Sequence, residues 1–185
     1  GRGVSSCAVC DAVFFRGKQT VVVGGGDAAM EDALALAKYA ESVTIIHRRE
    51  VFRASKVMIE RVLLNPKIKV WWNKAVKEVI GDSKVTEILV QDLKNNEETR
   101  IPIDGVFVAI GHKPTTEFLK ESVNLDEGGY VVTQFGLKAE YPTQTSVEGI
   151  FAAGDCVDSR YKQAITAAAF GVMAALDIER WLERV

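Results

Sequence analysis

Short β-branched runs alternate with longer segments of helical spacing through the first third of the chain. Residues 19–24 read Gln-Thr-Val-Val-Val-Gly and close on glycines, and 28–40 follow with apolar residues dense enough for a buried helix. A second β-branched run covers 42–47. Residues 54–64 then carry Val57, Met58, Arg61, Val62 and Leu64 at helical spacing before Asn65-Pro66 stops them. Strand, helix, strand, helix in this order predicts parallel strands with right-handed crossovers. The pattern changes after residue 68. Strand-like pieces at 69–72, 76–80, 85–93 and 99–101, with turns at Asp82-Ser83 and 94–97, predict an antiparallel meander inserted in the αβ fold. Residues 105–110 read as a buried strand returning to the parallel sheet, and Pro114 excludes a helix from the crossover at 111–116. Beyond it, 130–133 and 149–155 predict two short strands, and a long helix runs from about 164 to 184. These are too few for a domain of their own. A strand ending in Gly154-Asp155 before a helix predicts one flank of a second nucleotide-binding domain. There is no internal repeat and no low-complexity tract.

Composition adds bounds rather than a function. With 185 residues, 48% of them hydrophobic, the chain can bury one ordinary core or one core and part of another. Net charge is −2, from 23 basic and 25 acidic residues, so no global field favours nucleic acid or an anionic membrane. No apolar run approaches the ~20 residues that span a bilayer, and residues 1–20 do not read as a signal peptide, so a cytoplasmic location is expected. Of three cysteines, two form a C-x-x-C, which fits a reducing compartment with one working pair. Cys156 is the odd thiol, expected to be buried.

The chemistry concentrates near the N-terminus. Cys7-Ala-Val-Cys10-Asp11 can close a disulfide with little rearrangement, and neighbouring groups tune such a pair toward thiolate. A structural zinc site would need two more ligands, and Cys156, His47 and His112 offer no ligand-pair spacing, so no metal is expected. Asp11 is either a proton donor to the leaving thiolate or an N-cap of the next turn. Gly24-x-Gly26-x-x-Ala29 has the spacing of a dinucleotide loop: one glycine for the tight turn, one for backbone approach to a pyrophosphate, one small residue for helix packing. The phosphate would sit at the helix N-terminus, where unpaired N–H groups and the dipole favour anions. About 20 residues on, where an NAD site places an acid, stand His47-Arg48-Arg49, with Arg53 one turn later. Guanidinium groups suit a 2′-phosphate, which points to NADPH. The plainer alternative is a solvated basic edge, with Glu50 pairing one arginine. Gly154-Asp155 is either a capped turn or a contact to a flavin.

Cys-Ala-Val-Cys-Asp, Gly-Gly-Gly-Asp-x-Ala, His-Arg-Arg-x-x-x-Arg-Ala, Ala-Ile-Gly-His-x-Pro, Ala-Ala-Gly-Asp and Gln-Ala-Ile-Thr-Ala-Ala occur here in that order. In this the chain resembles the low-molecular-weight thioredoxin reductases over essentially its whole length, and its Cys-Ala-Val-Cys form looks most like the plant and fungal branch. The resemblance implies an α/β fold: a Rossmann-like NADPH-binding domain over 1–115, with a parallel sheet plus an antiparallel meander, and the C-terminal segment of an FAD-binding α/β domain over 116–185. It also implies that the N-terminal flavin segment is missing from this sequence, so the polypeptide is expected to hold FAD weakly and to reduce little thioredoxin. By position, Cys10 faces the flavin, Cys7 attacks thioredoxin's disulfide and Asp11 is the acid. Gly24, Gly26, Asp27, Ala28, His47, Arg48, Arg49 and Arg53 match the NADPH contacts, with Ile110 and Gly111 in the associated loop. Asp155, Lys162, Gln163 and Ala164 fall where the family touches FAD, and Arg2, Val13 and Phe14 where it docks thioredoxin. The family's homodimer is implied for the longer protein. Departures stand at Ala12, where a usual glycine raises the prospect of strain, at Lys162 for arginine, at Ala169 for glycine, and at Cys156. Two alternatives are another flavoprotein disulfide reductase, such as a peroxiredoxin reductase subunit, and a non-enzymatic NADPH-binding module or half of a split protein.

Overall fold

Val21 and Val22 are neighbours on β2 (Gln19–Gly24), and both are buried, each in a different core. Side chains alternate across a strand, so a continuous apolar run marks a strand covered on both faces. The computed structural model, which describes residues 2–136 and 138–184, bears this out. The chain divides into two compact units, Gly1–Gly111 and His112–Val185.

In the first unit β1 (Val4–Ser5), β8 (Gly105–Ala109), β2, β3 (Ser42–His47) and β4 (Ile68–Trp72) form a parallel sheet in the order β1-β8-β2-β3-β4. One face packs against α2 (Asp27–Ala37) and α3 (Lys56–Leu63) through Val22, Ile45, Phe107, Met30, Leu36 and Val62. The other face, with Val21, Ile46 and Val106, meets Ile88 and Val90 of a second sheet. That sheet is antiparallel, β5 (Lys74–Ile80), β6 (Glu87–Asp92) and β7 (Glu98–Pro102), in sequence order. Each large apolar side chain buried this way contributes roughly 1.5–3 kcal/mol, so the two faces hold the sheet more firmly than strand propensity does.

The meander therefore has three strands, not four. Residues 69–72 belong to β4, paired in parallel with β3 from Val43↔Ile68 to His47↔Trp72. A short helix α1 (Ala8–Asp11) and a 3-10 turn, Ala12–Phe15, lead into β2, with Ala8, Ala12 and Phe15 buried in the core under α2. Ala12 lies at φ −55, so the strain expected from replacing a glycine there does not arise.

The second unit holds α4 (Ala164–Leu182) and 3-10 turns at Glu117–Leu119 and Gly154–Cys156. Residues 130–133 and 149–155 are not strands. They make the single bridges Leu125↔Val131 and Gln144↔Phe151 and otherwise run irregularly, because no neighbouring edge among the described residues extends the pairing. Buried Asp177 of α4 accepts from the Thr143 N–H at 2.9 Å and hydroxyl at 2.7 Å, tying the helix to the loop before it. No helix among the described residues is long and apolar enough to cross a membrane.

Candidate nucleotide cleft and redox disulfide

β2 lies between β8 and β3, so the C-terminal end of β2 faces a crevice where strand order turns in both directions, the usual ligand position in an open α/β sheet. Gly24 closes β2. A Cβ there would fall inside contact distance of the Ala109 carbonyl oxygen, so the turn against β8 demands glycine. Gly25 lies over the His47 ring, which occupies the space a side chain would need. Gly26, by contrast, faces open space and forms the N-cap of α2 without a side-chain cap. The first amides of α2 are thus presented to a cleft of about 590 Å³.

Asp27 does not face a ligand freely. Its Oδ1 accepts from the Ser55 N–H and hydroxyl, both at 2.9 Å, and those two bonds, the amide first, hold its carboxyl below the usual carboxylate range. Asp27 therefore joins the start of α2 to the start of α3. His47 is buried between Phe52 and Trp72, and its Nε2 bonds the Val51 carbonyl at 3.1 Å. Since a carbonyl can only accept, Nε2 carries the proton. The histidine closes the arginine turn from below, as part of the cleft wall.

Gly24, Gly26, Asp27, Ala28, His47, Arg48, Arg53, Ile110 and Gly111 all line the cleft; Arg49 does not. The Arg53 N–H donates to the Gly25 carbonyl at 2.8 Å, which fastens the arginine turn to the glycine loop. Arg48, Arg49 and Arg53 are exposed, and among the described residues no carboxylate pairs with any of them. Glu50 binds Lys94 at 2.6 Å instead. One cation of the cleft, Lys74, belongs to no sequence motif; only the approach of β5 to the end of β3 reveals it.

Cys7 and Cys10 form a disulfide with Cα atoms 5.3 Å apart. Cys7 is half-buried at the N-cap of α1, where its Sγ accepts from the Cys10 N–H at 3.2 Å, and Cys10 is exposed. Asp11 makes no side-chain cap to the turn after it; its Oδ2 accepts from the Ser5 hydroxyl at 2.6 Å. Asp32, on α2, accepts from the Ala8 N–H at 3.1 Å, so the helix that opens at the nucleotide loop also anchors the disulfide helix. Sequence reading missed Asp32, since its partner lies 24 residues away. Beside the disulfide, Arg2, Asp11 and Phe14 line one cleft of about 440 Å³, and Val13 and Phe14 are exposed on the 3-10 turn.

In the second unit Asp155 is exposed on the turn Gly154–Cys156, whose Gly154 has φ +85. Gln163 is the N-cap of α4 in a capping box with Thr166, and Ala164 is the helix's first residue. Lys162 takes a left-handed φ of 50 and donates to the Ser159 carbonyl at 2.7 Å, and Ala169 is exposed. What shapes this loop is Asp158, absent from every motif: buried, it accepts from the N–H groups of Arg160, Tyr161 and Lys162 and from the Thr166 hydroxyl. Cys156 is half-buried rather than buried, its thiol on the Ala153 carbonyl at 3.2 Å.

Residues 1–171 match the family model described as pyridine nucleotide-disulphide oxidoreductase. The chain belongs to that family. Within it, a thioredoxin reductase from Mycolicibacterium smegmatis is 51% identical over 98% of this chain and 57% of its own length. Thioredoxin reductase 2 of Arabidopsis thaliana is 51% identical over 100% of this chain and 48% of its own. A thioredoxin reductase structure from Streptococcus pyogenes superposes with a TM-score of 0.87 at 37% identity, covering 100% of this chain and 58% of that one. The chain spans about half the length of the curated relatives it matches.

Proposed function

We propose that this chain supplies the NADPH site and the redox disulfide of a flavoprotein disulfide reductase whose protein substrate is thioredoxin. The observation that carries the reading is a closed Cys7–Cys10 disulfide on the same unit as a glycine loop flanked by unpaired arginines. The many relatives named thioredoxin reductase support the substrate. On this reading residues 1–115 are the NADPH domain with the redox pair, and 116–185 a segment of the FAD domain.

The cleft fits NADPH. Gly26 leaves the loop uncovered for a pyrophosphate at the N-terminus of α2, and Arg48 and Arg53 are unpaired cations for the 2′-phosphate. Arg49 stands outside as a longer-range charge, and Ile110 and Gly111 bound the far end. Asp155, Lys162, Gln163 and Ala164 would hold part of FAD; Gly154, with no neighbour nearer its Cβ position than Ala167 at 4.0 Å, leaves backbone there open to a ligand. Bound in these places, NADPH would supply two electrons and a proton as hydride, and FAD would serve as the relay of that electron pair to the disulfide.

Reduction of Cys7–Cys10 takes two electrons and two protons and yields two thiols. The second proton comes from solvent through Asp11, whose bond to Ser5 holds its carboxyl beside the pair. Cys7, as thiolate, then attacks one sulfur of thioredoxin's disulfide, expelling the other as thiolate, which takes up a proton. Cys10 attacks Cys7 in turn, which restores the disulfide and frees reduced thioredoxin. Val13, Phe14 and Arg2 offer the exposed apolar and cationic surface for that protein. A cytoplasmic location, the plant-like branch and a homodimer of the longer protein complete the proposal.

Trapping tests the thiol order. A Cys10→Ser variant mixed with thioredoxin whose active-site thiol carries a thionitrobenzoate leaving group is expected to release it and remain disulfide-linked. A Cys7→Ser variant that reacts as fast, with Cys10 as the attacker, would refute the assignment. For the cleft, Arg48→Ala with Arg53→Ala is expected to weaken NADPH binding at least about tenfold, ~1.4 kcal/mol, while NADH is little changed. Calorimetric titration reads both, and equal losses would move the 2′-phosphate elsewhere.

A further inference from the structure

Ser5 ends β1, a strand of two residues that pairs with β8, Ser5 opposite Phe107. The backbone just before it is pinned twice: the Gly3 carbonyl accepts from the Val106 N–H at 2.7 Å, and the Arg2 carbonyl from the Val85 N–H at 2.8 Å. The sheet edge thus delivers the half-buried Ser5 side chain to the start of α1. There its hydroxyl oxygen accepts from the Cys7 N–H at 3.1 Å and donates to Asp11 Oδ2 at 2.6 Å. The Cys7 carbonyl, at 3.4 Å, is a much longer second acceptor.

A hydroxyl has one hydrogen and two lone pairs. With the Cys7 N–H on a lone pair and Asp11 Oδ2 the nearest acceptor, the hydrogen lies in the Asp11 bond. The Asp11 N–H donates to the Cys7 carbonyl at 3.1 Å, one helical turn back, and Ser5 draws the Asp11 carboxyl toward that same Cys7 end. Asp32 on α2 gives α1 an anchor besides Ser5, through the Ala8 N–H. Asp11 Oδ1 forms no hydrogen bond among the described residues, and Ser5 and Asp11 both line the cleft with Arg2 and Phe14. Oδ2 can accept from the hydroxyl whether the carboxyl is ionised or carries a proton on Oδ1. The carboxyl can therefore gain and lose that proton without leaving its place.

Resting on the reading of Asp11 as the acid of the exchange, we propose that Ser5 is its positioning residue, fixing Oδ2 so that Oδ1 is the oxygen that hands over the proton. In that step the Cys7 sulfur bonds one thioredoxin sulfur, and the bond between the two thioredoxin sulfurs breaks with its electron pair on the leaving sulfur. The leaving thiolate takes the proton from Oδ1, and solvent reprotonates the carboxylate. Placement matters because a general acid acts only within hydrogen-bond reach of the group it protonates. A hydroxyl that only stitched β1 to α1 would affect attack on every disulfide alike.

Single-turnover rates of the dithiothreitol-reduced chain, freed of reductant, compare two disulfides. One is oxidised thioredoxin, whose leaving thiolate takes up a proton; the other is 5,5′-dithiobis(2-nitrobenzoate), whose leaving thiolate is stable without one. Ser5→Ala is expected to slow the saturated reaction with thioredoxin about tenfold and that with the aromatic disulfide less than about twofold, while Ser5→Thr, which keeps the hydroxyl, recovers the thioredoxin rate. A thioredoxin rate equal to the parent's in folded Ser5→Ala, or a loss of the same size with both disulfides, overturns the proposal. Should Ser5→Ala lose its native circular dichroism, Ser5→Val and Ser5→Thr, alike in shape, decide: a slower Ser5→Val with thioredoxin alone supports the proposal, and equal rates overturn it. Asp11→Asn is the control. If it leaves the thioredoxin rate unchanged, the acid reading itself has failed; if it slows that rate while Ser5→Ala does not, only the role of Ser5 has.

Discussion

Asp158 shows how much of a site can rest on one side chain that belongs to no motif. Its two oxygens accept from three consecutive backbone amides and one hydroxyl, so they shape the loop that delivers Lys162 and Gln163 to the start of α4. Burial alone would raise its carboxyl, but the amides of Tyr161, Lys162 and Arg160 and the Thr166 hydroxyl outweigh that and hold it low. A depressed folded value means the stabilisation is complete above the unfolded value of about 3.9 and is lost as pH falls through the folded one. Asp158→Ala, which strands those amides in a buried site, is expected to cost about 2–4 kcal/mol. Urea midpoints taken between pH 6 and about pH 3 should fall further in the parent than in Asp158→Asn; parallel falls would refute the linkage. The disulfide pair Cys7 and Cys10 and the cleft-lining Gly24, Gly26, Arg48 and Arg53 stand out in sequence because they are distinctive residue types at fixed short spacings. Lys74 and Asp32 do not, because each acts on a partner that only folding brings near, at 18 residues for Lys74 and Asp92 and 24 for Asp32 and Ala8; Asp158 does not, because its partners are mostly backbone amides, which any residue type supplies.

At the scale of elements, β2 and β3 could be read directly, since a β-branched run closed by glycines or by a charged turn leaves few alternatives. Residues 69–72 were recognisable as a strand but not as a member of the parallel sheet: local alternation fixes a strand and says nothing of its neighbour. β1, with two residues, is too short to carry any period and is defined only by its pairing with β8 at Val4↔Val106 and Ser5↔Phe107. Residues 130–133 and 149–155 failed in the opposite sense. Their β-branched and apolar composition suits a strand, yet a strand exists only beside an edge to pair with, and each finds a single bridge. Helix α4 was placed well because its small and apolar residues run from Ala164 to Leu176 broken only by Thr166.

For the molecule as a whole, the two units meet in sequence at a connector with no regular structure. Ile110, Gly111, His112, Lys113 and Thr115 are exposed, and Gly111 lies at φ +96. Brief digestion with proteinase K is therefore expected to cut early between residues 110 and 115 and to leave a resistant fragment ending there, read by mass spectrometry. A first cut inside β2 or α2 would deny the first unit its independent stability. The fold also sorts the arginine turn into two populations. His47 and Phe52 point inward and hold the turn against Trp72 and the Gly25 backbone, while Arg48, Arg49 and Arg53 stand in solvent with nothing in the core depending on them. Evolution can thus rewrite the outward letters without disturbing the inward ones, so the charge that this turn shows to the cleft is free to change while the scaffold drifts hardly at all.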